Sequence, residues 1–372
     1  MAVPRGLVWN RDAHTEAKHR VLRGYLDAWW PILLSRNSRV TYAEGYAGPG
    51  EYQEGEDGSP VVALNSLLQR DKPVDLRGRQ ANVVLVEEDP ARLDHCVARL
   101  QERVGPLPEE VNVAPKPGRC EDVLLPTLRA VGAFGHPILV NLDPFAAGVP
   151  YEVVCEVAQN RSSEVLISFM MQWFIRWAEN EDLEHGDRQF GGTEWRQVAE
   201  VPRERKRRWL IDLYRQRLQD AGFQHTVWFE LVDEGGHAFA LVFATTNSRG
   251  LEKMKESFWR VDPVNGIHFR DPRDPGQMAF DIGDDPYLAS LRNLLADQLQ
   301  GRGVVLVDEI CEWTLEQTVF LPKHTMAVLR EWRHRSRLSI DSPGKLQRSA
   351  RVQLLEAPPL EHRPPPEQQK LF

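Results

Sequence analysis

Three acidic residues stand at the ends of three short apolar runs, an arrangement that can place carboxylates around a ligand. The residues and the runs that they end are Glu44 (residues 39–44), Glu87 (residues 83–87) and Asp143 (residues 138–143). Continuous apolar runs of this length are typical of buried parallel strands, and open α/β sheets bind ligands beyond the carboxyl ends of such strands. We therefore expect the three carboxylates to line one crevice.

A glycine-rich loop, Gly45–Gly50, follows the first run and reads Gly-Tyr-Ala-Gly-Pro-Gly. Glycine adopts positive φ without strain and lets a ligand approach the backbone, while a carboxylate ending the next strand can bind a ribose. The spacing differs from the Gly-x-Gly-x-x-Gly of dinucleotide-binding proteins. It is similar to the first motif of class I S-adenosylmethionine-dependent methyltransferases, whose cofactor has a ribose but no pyrophosphate. The alternative is a glycine- and proline-rich turn after an edge strand.

This similarity implies S-adenosylmethionine as the cofactor, held at the ends of the first three strands. The expected cofactor-binding residues are Glu44, Tyr46, Ala47, Gly48, Gly50, Glu87 and Glu121. At the third strand either Glu121 or Asp122 could contact the adenine. Residues 51–57 separate the glycine loop from the helix start at Ser59, and this insertion is either a lid or substrate contact or simply an exposed loop.

The other patterns predict an α/β, Rossmann-like, seven-stranded methyltransferase domain over residues 1–283. An amphipathic helix at residues 15–34 covers the first strand, and Ser59 and Asp89, each followed by proline, mark two further helix starts. Additional strands are expected at residues 111–114 and 165–169, with a terminal hairpin at residues 225–232 and 239–246. Helices between the first five strands and a closing hairpin match the class I methyltransferase pattern.

Residues 284–356 predict a C-terminal winged helix-turn-helix domain, with the order helix, strand, helix, helix, hairpin. In such a domain the second paired helix enters the major groove and a cationic wing grips phosphates. The candidate nucleic-acid contacts are Arg333, Arg335, Arg337 and Lys345, together with Arg207 on a basic helix of the first domain. The alternatives are a protein-docking module and, for Arg207, a solvated helix face.

The tail, residues 357–372, is rich in proline and is expected to be extended. It ends in Gln368, Leu371 and Phe372, which resemble the Gln-x-x-Leu-Phe peptide that bacterial replication and repair proteins insert into the sliding clamp. The alternative is an apolar terminus that docks on its own domain or stays disordered.

Composition restricts the class of protein. The 372 residues contain no run approaching a membrane span, and the start lacks the apolar core of a signal peptide, so we expect a cytoplasmic protein that does not bind membranes. The four cysteines are unpaired in sequence, which indicates neither a disulfide framework nor a metal site. A net charge of −8 restricts any nucleic-acid binding to local patches.

The chain resembles the three-Cys-motif partner proteins, a bacterial family with a class I methyltransferase-like domain. The matching residues are Tyr25, Leu26, Trp29, Tyr46–Gly50, Gly58–Pro60, Val86–Pro90, Leu142–Phe145, Leu241–Thr246, Met254, Lys255 and Trp259. The resemblance covers about residues 11–262. It implies as a partner a radical-S-adenosylmethionine-like protein that carries a three-cysteine cluster.

Asp143-Pro144-Phe145 suggests the chemistry of the acceptor. Methyltransferases that act on base amino groups carry (Asp/Asn)-Pro-Pro-(Tyr/Phe) here, and this chain is one proline short. We expect Asp143 to hold the amine and Phe145 to stack on a base that has left its helix. The expected function is methylation of a DNA or RNA base in modification or repair. The alternatives are a non-methylating DNA-processing component working with the radical partner and the sliding clamp, and a catalytically silent nucleic-acid-binding scaffold.

Overall fold

The computed structural model describes residues 6–68, 74–145, 148–180, 184–233, 235–270, 287–341 and 344–355. The chain divides into two compact units, residues 1–257 with 268–277 and residues 258–267 with 278–372. The clamp-binding residues Gln368, Leu371 and Phe372 lie outside the described residues. Within the described ranges no helix has both the length and the apolarity needed to cross a bilayer.

An eight-stranded sheet forms the centre of the first unit. Its strands are β1 (Arg39–Glu44), β2 (Gln80–Glu87), β3 (Val111–Pro117), β4 (Ile138–Leu142), β5 (Ser163–Phe169), β6 (His225–Val232), β7 (Ala238–Thr245) and β8 (His268–Arg270). The order is β3-β2-β1-β4-β5-β7-β6-β8, with the first five strands parallel and β7 antiparallel to both of its neighbours. Leaving β8 aside, this is the arrangement of the class I methyltransferase fold, which agrees with the predicted fold.

The predicted count of seven strands was one too low. Strand β8 runs parallel to β6 and pairs three residues with Glu230–Val232. Three residues are too few to produce a strand pattern in the sequence, and their position depends on a long-range pairing.

Helices cover the sheet of the first unit. They are α1 (Ala13–Leu34), α2 (Ser59–Leu68), α3 (Pro90–Val104), α4 (Cys120–Ala130), α5 (Tyr151–Gln159), α6 (Met171–Trp177), α7 (Glu184–Phe190), α8 (Lys206–Ala221) and α9 (Ser248–Val261). Local chemistry sets their starts: the Asp89 side chain accepts from Ala91 N at 2.9 Å, and Pro90 occupies the first turn of α3. As expected, α1 covers β1, and its Trp30 packs on Tyr42.

Among the described residues, the second unit contains three complete helices and a small antiparallel sheet. Its elements are α10 (Ala289–Leu299), β9 (Val305–Leu306), α11 (Val307–Gln317), α12 (Pro322–His334), β10 (Leu338–Ile340) and β11 (Arg351–Leu354), with the strand order β10-β11-β9. Residues 258–267, which include the last four residues of α9, belong here as well, although the expected boundary was residue 284. The reason is Trp259, whose indole packs on His324 at 4.4 Å and donates to Val319 O at 3.0 Å.

Candidate functional site

A cavity of about 400 Å³ opens at the carboxyl ends of β1 to β4. This volume suits a small-molecule site. Its wall is made by the glycine loop, the ends of β2, β3 and β4, and the segment that leads into α1. The lining side chains and backbone include Trp9, His14, Lys18, residues 45–52, Gly58, Ser59, Glu87, Arg92, Arg119, Cys120, Glu121, Asp143, Phe145, His185, Arg188 and Phe239.

The glycine loop is shaped by close backbone approaches. Gly48 and Gly50 have φ of 64° and 74°, values that side chains rarely adopt. A Cβ on Gly58 would lie 2.7 Å from the backbone of Gly50, whose carbonyl accepts from Gly58 N at 2.8 Å. The predicted cofactor residues Tyr46, Ala47, Gly48 and Gly50 all line the cavity. The loop therefore offers backbone rather than side chain to a ligand.

Glu87 ends β2 beside this loop and lines the cavity. Its carboxylate accepts from Gly48 N at 2.9 Å and from Asp89 N at 3.1 Å, and the residue is 8% exposed. A carboxylate has about four lone-pair positions, so these two bonds leave acceptor capacity for a hydroxyl group. Glu87 thus fixes the loop and faces the cavity with the same side chain.

Glu44 departs from the expectation that three carboxylates line one crevice. It is 1% exposed, does not line the cavity, and accepts from Tyr42 Oη at 2.7 Å and Ser59 Oγ at 2.6 Å. Burial raises the pKa of Glu44 to about 8, against the opposing hydrogen bonds. The reason is the position of Glu44 at the last residue of a central strand, beneath the start of α2. Its contacts tie the end of β1 to the start of α2.

Asp143 faces the cavity after β4 and forms an ion pair with Lys18 on α1. The two side chains are 24% and 13% exposed. Burial by itself would raise the pKa of Asp143, but the charge and hydrogen bond of Lys18, together with Ser168 and His19, outweigh it and hold the pKa below the ordinary value. Asp143 is therefore an ionised acceptor at neutral pH.

Phe145 also lines the cavity, where it meets Trp9 edge to face at 5.2 Å. The Trp9 ring lies 6.0 Å from Tyr52, and the Arg92 guanidinium stacks over it at 5.3 Å. Sequence reasoning missed Trp9, His14 and Lys18, because nothing in the local pattern marks a segment before the first strand as part of a site. The only available signal was a cluster of polar residues at the start of an otherwise apolar helix.

Of the two candidates after β3, Glu121 lines the cavity and Asp122 does not. The Glu121 carboxylate is shared by Arg119 and Arg188, the latter at 2.9 Å. Tyr46 lies close by, where burial raises the pKa of its hydroxyl. This end of the cavity therefore carries two cations around one anion.

Contacts at its two ends and at its middle hold the insertion at residues 51–57 in place. Glu51 pairs with Asp57 as an isolated antiparallel bridge, and the Arg99 guanidinium lies 3.3 Å and 3.6 Å from their carboxylates. Gln53 N donates to Trp9 O at 2.9 Å. Since Glu51 and Tyr52 line the cavity, the insertion contributes to the site instead of being merely exposed.

None of the five residues expected to contact nucleic acid lines the cavity. Arg207 is exposed on α8 and does not line the cavity. In the second unit, Arg333 donates to Gly344 O at 2.8 Å and Arg335 pairs with Glu331 at 3.1 Å. Arg337 is half-buried and Lys345 is exposed.

Comparison with known proteins gives distant structural matches. No protein-family model matches the chain, and no curated protein matches it in sequence. The O-methyltransferase TomG from Streptomyces achromogenes, solved with S-adenosylmethionine, is 14% identical over 64% of this chain and 92% of its own, with a TM-score of 0.36. Trm1 from Pyrococcus horikoshii, also solved with S-adenosylmethionine, is 10% identical over 95% and 94%, again with a TM-score of 0.36. The METTL16 methyltransferase domain is 9% identical over 61% and 83%, with a TM-score of 0.31. Because these scores are low, the fold assignment rests on the strand order given above.

Proposed function

We propose that this protein is an S-adenosylmethionine-dependent methyltransferase that acts on an amino group of a DNA or RNA base. The observation that carries the proposal is a single cavity bounded by the glycine loop, the Glu87 carboxylate and the Asp143–Phe145 segment. These groups lie at the carboxyl ends of parallel strands, where open α/β sheets bind their ligands.

The residues around the glycine loop fit the cofactor. Gly48 and Gly50 keep the loop free of Cβ atoms where the backbone has positive φ, and Glu87 places an acceptor beside it. Glu121 serves the adenine end of the cavity. When bound, S-adenosylmethionine supplies a methyl group activated by a sulfonium.

The acceptor base would lie against the end of β4. Asp143, held ionised by Lys18, accepts hydrogen bonds from an exocyclic amine, and Phe145 offers a ring for stacking. Such a site works mainly by positioning the amine and the donor in line. A nucleophilic side chain is not needed.

We base the choice of a nucleic-acid substrate on the second unit as well. We interpret it as a winged helix in which α11 and α12 are the paired helices and the β10–β11 hairpin is the wing. Lys345 and Arg337 then form the basic wing. Association with a radical-enzyme partner and with the sliding clamp stays a prediction from the sequence alone.

Titration calorimetry with S-adenosylmethionine tests the cofactor site. We expect binding by the wild type and a loss of about tenfold to a hundredfold in Glu87→Gln, because a hydrogen bond to a charged group contributes about 1.5–3 kcal/mol. Glu109→Gln is the matched control, since Glu109 is an exposed carboxylate that precedes β3, at the other end of the strands. Wild-type protein that takes up no cofactor at millimolar ligand would overturn the proposal.

Transfer of a radioactive methyl group tests the substrate class. Mixed-sequence single-stranded DNA and RNA oligonucleotides serve as acceptors, with Asp143→Asn as the impaired variant and Asp122→Asn as the control outside the cavity. We expect label on the wild-type product as a methylated base amino group. Label on protein, or on no oligonucleotide, would reject a nucleic-acid substrate.

A silent nucleic-acid-binding protein is the second candidate. The two residues expected to bind the acceptor base already have partners within the protein. Asp143 is paired with Lys18, and Phe145 contacts Trp9, which favours a protein that does not bind an acceptor base there. This candidate is correct if the protein binds both the cofactor and the oligonucleotide but transfers no methyl group.

A further inference from the structure

The first turns of α1 bring a buried histidine to the cavity wall. His14 lines the cavity and is 4% exposed, and its Nδ1 is fully buried without a hydrogen-bond partner among the described residues. We propose that the His14 imidazole takes the proton that leaves the acceptor amine during methyl transfer. This inference rests on the proposed function and adds a catalytic residue to it.

An imidazole nitrogen without a partner, on a side chain that lines a cavity, points to a ligand. Buried polar atoms are normally hydrogen-bonded, and one that is not calls for an explanation such as a catalytic role. The ring is not loose, because Phe239 packs edge to face against it at 5.1 Å and lines the same cavity. The His14 ring is therefore packed against Phe239, while its Nδ1 has no hydrogen-bond partner among the described residues.

His14 belongs to the same wall as the predicted amine holder. Residues four apart on a helix are neighbours on one face, so Lys18 lies one turn from His14, and Lys18 pairs with Asp143. An amine bound to Asp143 would thus lie beside the same turns of α1 that carry the imidazole. Lys18 acts here only through Asp143, as a positioning residue.

The charges around His14 favour a neutral ring. Burial lowers its pKa most, and Lys18 lowers it further, while the carboxylates of Asp12, Asp233 and Asp143 oppose this in part. The net direction is downward, so the imidazole is free to accept a proton at neutral pH.

The proton balance of the step is simple. The lone pair of the acceptor nitrogen forms the new N–C bond with the methyl carbon, and the electrons of the broken C–S bond stay on sulfur as a neutral thioether. The N–H proton passes to His14, which later releases it to solvent. A positioned general base of this kind contributes about 10²–10⁴-fold to the rate.

A histidine at the other end of the strands provides the control. His136 precedes β4, whose carboxyl end leads to Asp143, and it does not line the cavity. Its side chain is half-buried. His14→Gln and His136→Gln therefore remove the same chemical group inside and outside the site.

The experiment is single-turnover methyl transfer to the mixed-sequence oligonucleotides over a range of pH, with cofactor affinity measured in parallel. We expect His14→Gln to lose at least about a hundredfold in rate, to lose the fall in rate on the acid side, and to keep the wild-type cofactor affinity. His136→Gln should match the wild type in all three. A purely structural role for His14 would leave the shape of the pH profile unchanged.

Two outcomes overturn the inference, and they are distinguishable. If the wild type transfers methyl groups and His14→Gln has the same rate and pH profile, only the role of His14 is rejected. If the wild type neither binds cofactor nor transfers methyl groups, the proposed function is rejected and this inference with it. Should His14→Gln not fold, ¹⁵N-histidine NMR of the wild type with S-adenosylhomocysteine decides. Adding oligonucleotide must shift the His14 ring signals and leave those of His136, and an unshifted His14 rejects the proposal.

Discussion

Lys18 on α1 forms an ion pair with Asp143 at the end of β4, joining residues 125 positions apart in the chain. The pair brings the first helix into the site, together with Trp9 and His14 on either side of its start. Removing one partner of a largely buried pair leaves the other charge poorly solvated. The contact therefore couples the stability of α1 to the protonation state of the predicted amine holder.

A double-mutant cycle measures this coupling. Lys18→Met alone should destabilise the protein and raise the pKa of Asp143, because burial then acts without the opposing ammonium. Adding Asp143→Asn should recover part of the loss, with an interaction free energy of about 1–2 kcal/mol from urea unfolding. Simple additivity of the two single substitutions would show that the pair contributes no coupling.

Gly58→Ala should damage the glycine loop without touching any charged group. The new Cβ would lie 2.7 Å from the Gly50 backbone, a contact that forces the loop to move, and overpacking of this kind costs about 1–3 kcal/mol. We expect a lower midpoint in urea and weaker binding of S-adenosylmethionine. Gly303→Ala is the control, since a Cβ there meets no atom within 4 Å. Equal behaviour of the two variants would contradict the proposed rigidity of the loop.

Glu164 gives the stability a defined pH dependence. Its carboxyl accepts from Tyr25 Oη at 2.6 Å and Thr245 Oγ1 at 3.1 Å, and burial raises its pKa from 4.5 to about 7. Between these values the folded protein keeps a proton that the unfolded chain has lost. The contribution of Glu164 to the free energy of unfolding is therefore fully present below pH 4.5 and is lost as the pH rises through about 7.

Chemical unfolding from pH 5 to pH 8 tests this prediction. The wild type should lose up to about 3 kcal/mol over that window relative to Glu164→Gln, which cannot ionise. Glu109→Gln, a change at an exposed carboxylate, should follow the wild type at every pH. Parallel curves for the wild type and Glu164→Gln would mean that Glu164 is ionised in the folded protein throughout.

Local signals in the sequence were enough to predict the first seven strands of the sheet and the glycine loop. The strand at residues 138–142 and the cap at Asp89 depend only on neighbouring residues, and the structure has both. The sequence did not predict that the Glu44 side chain contacts Ser59 or that Lys18 pairs with Asp143. Each contact depends on segments that meet only after folding. The same holds for β8, whose three residues gain their strand geometry from β6.

Lys345 tests whether the second unit binds nucleic acid. It is exposed beside Gly344, whose carbonyl accepts from Arg333, so a cation is presented next to a held backbone group. Lys345→Ala should weaken binding to all sequences alike and reduce the slope of log affinity against log salt by about 0.9, the value for one phosphate contact on duplex DNA. Arg302→Ala removes an exposed cation from the turn after α10 and serves as the control. If both variants keep the wild-type slope, the hairpin is not a phosphate-binding wing, and the unit is reassigned to protein contacts.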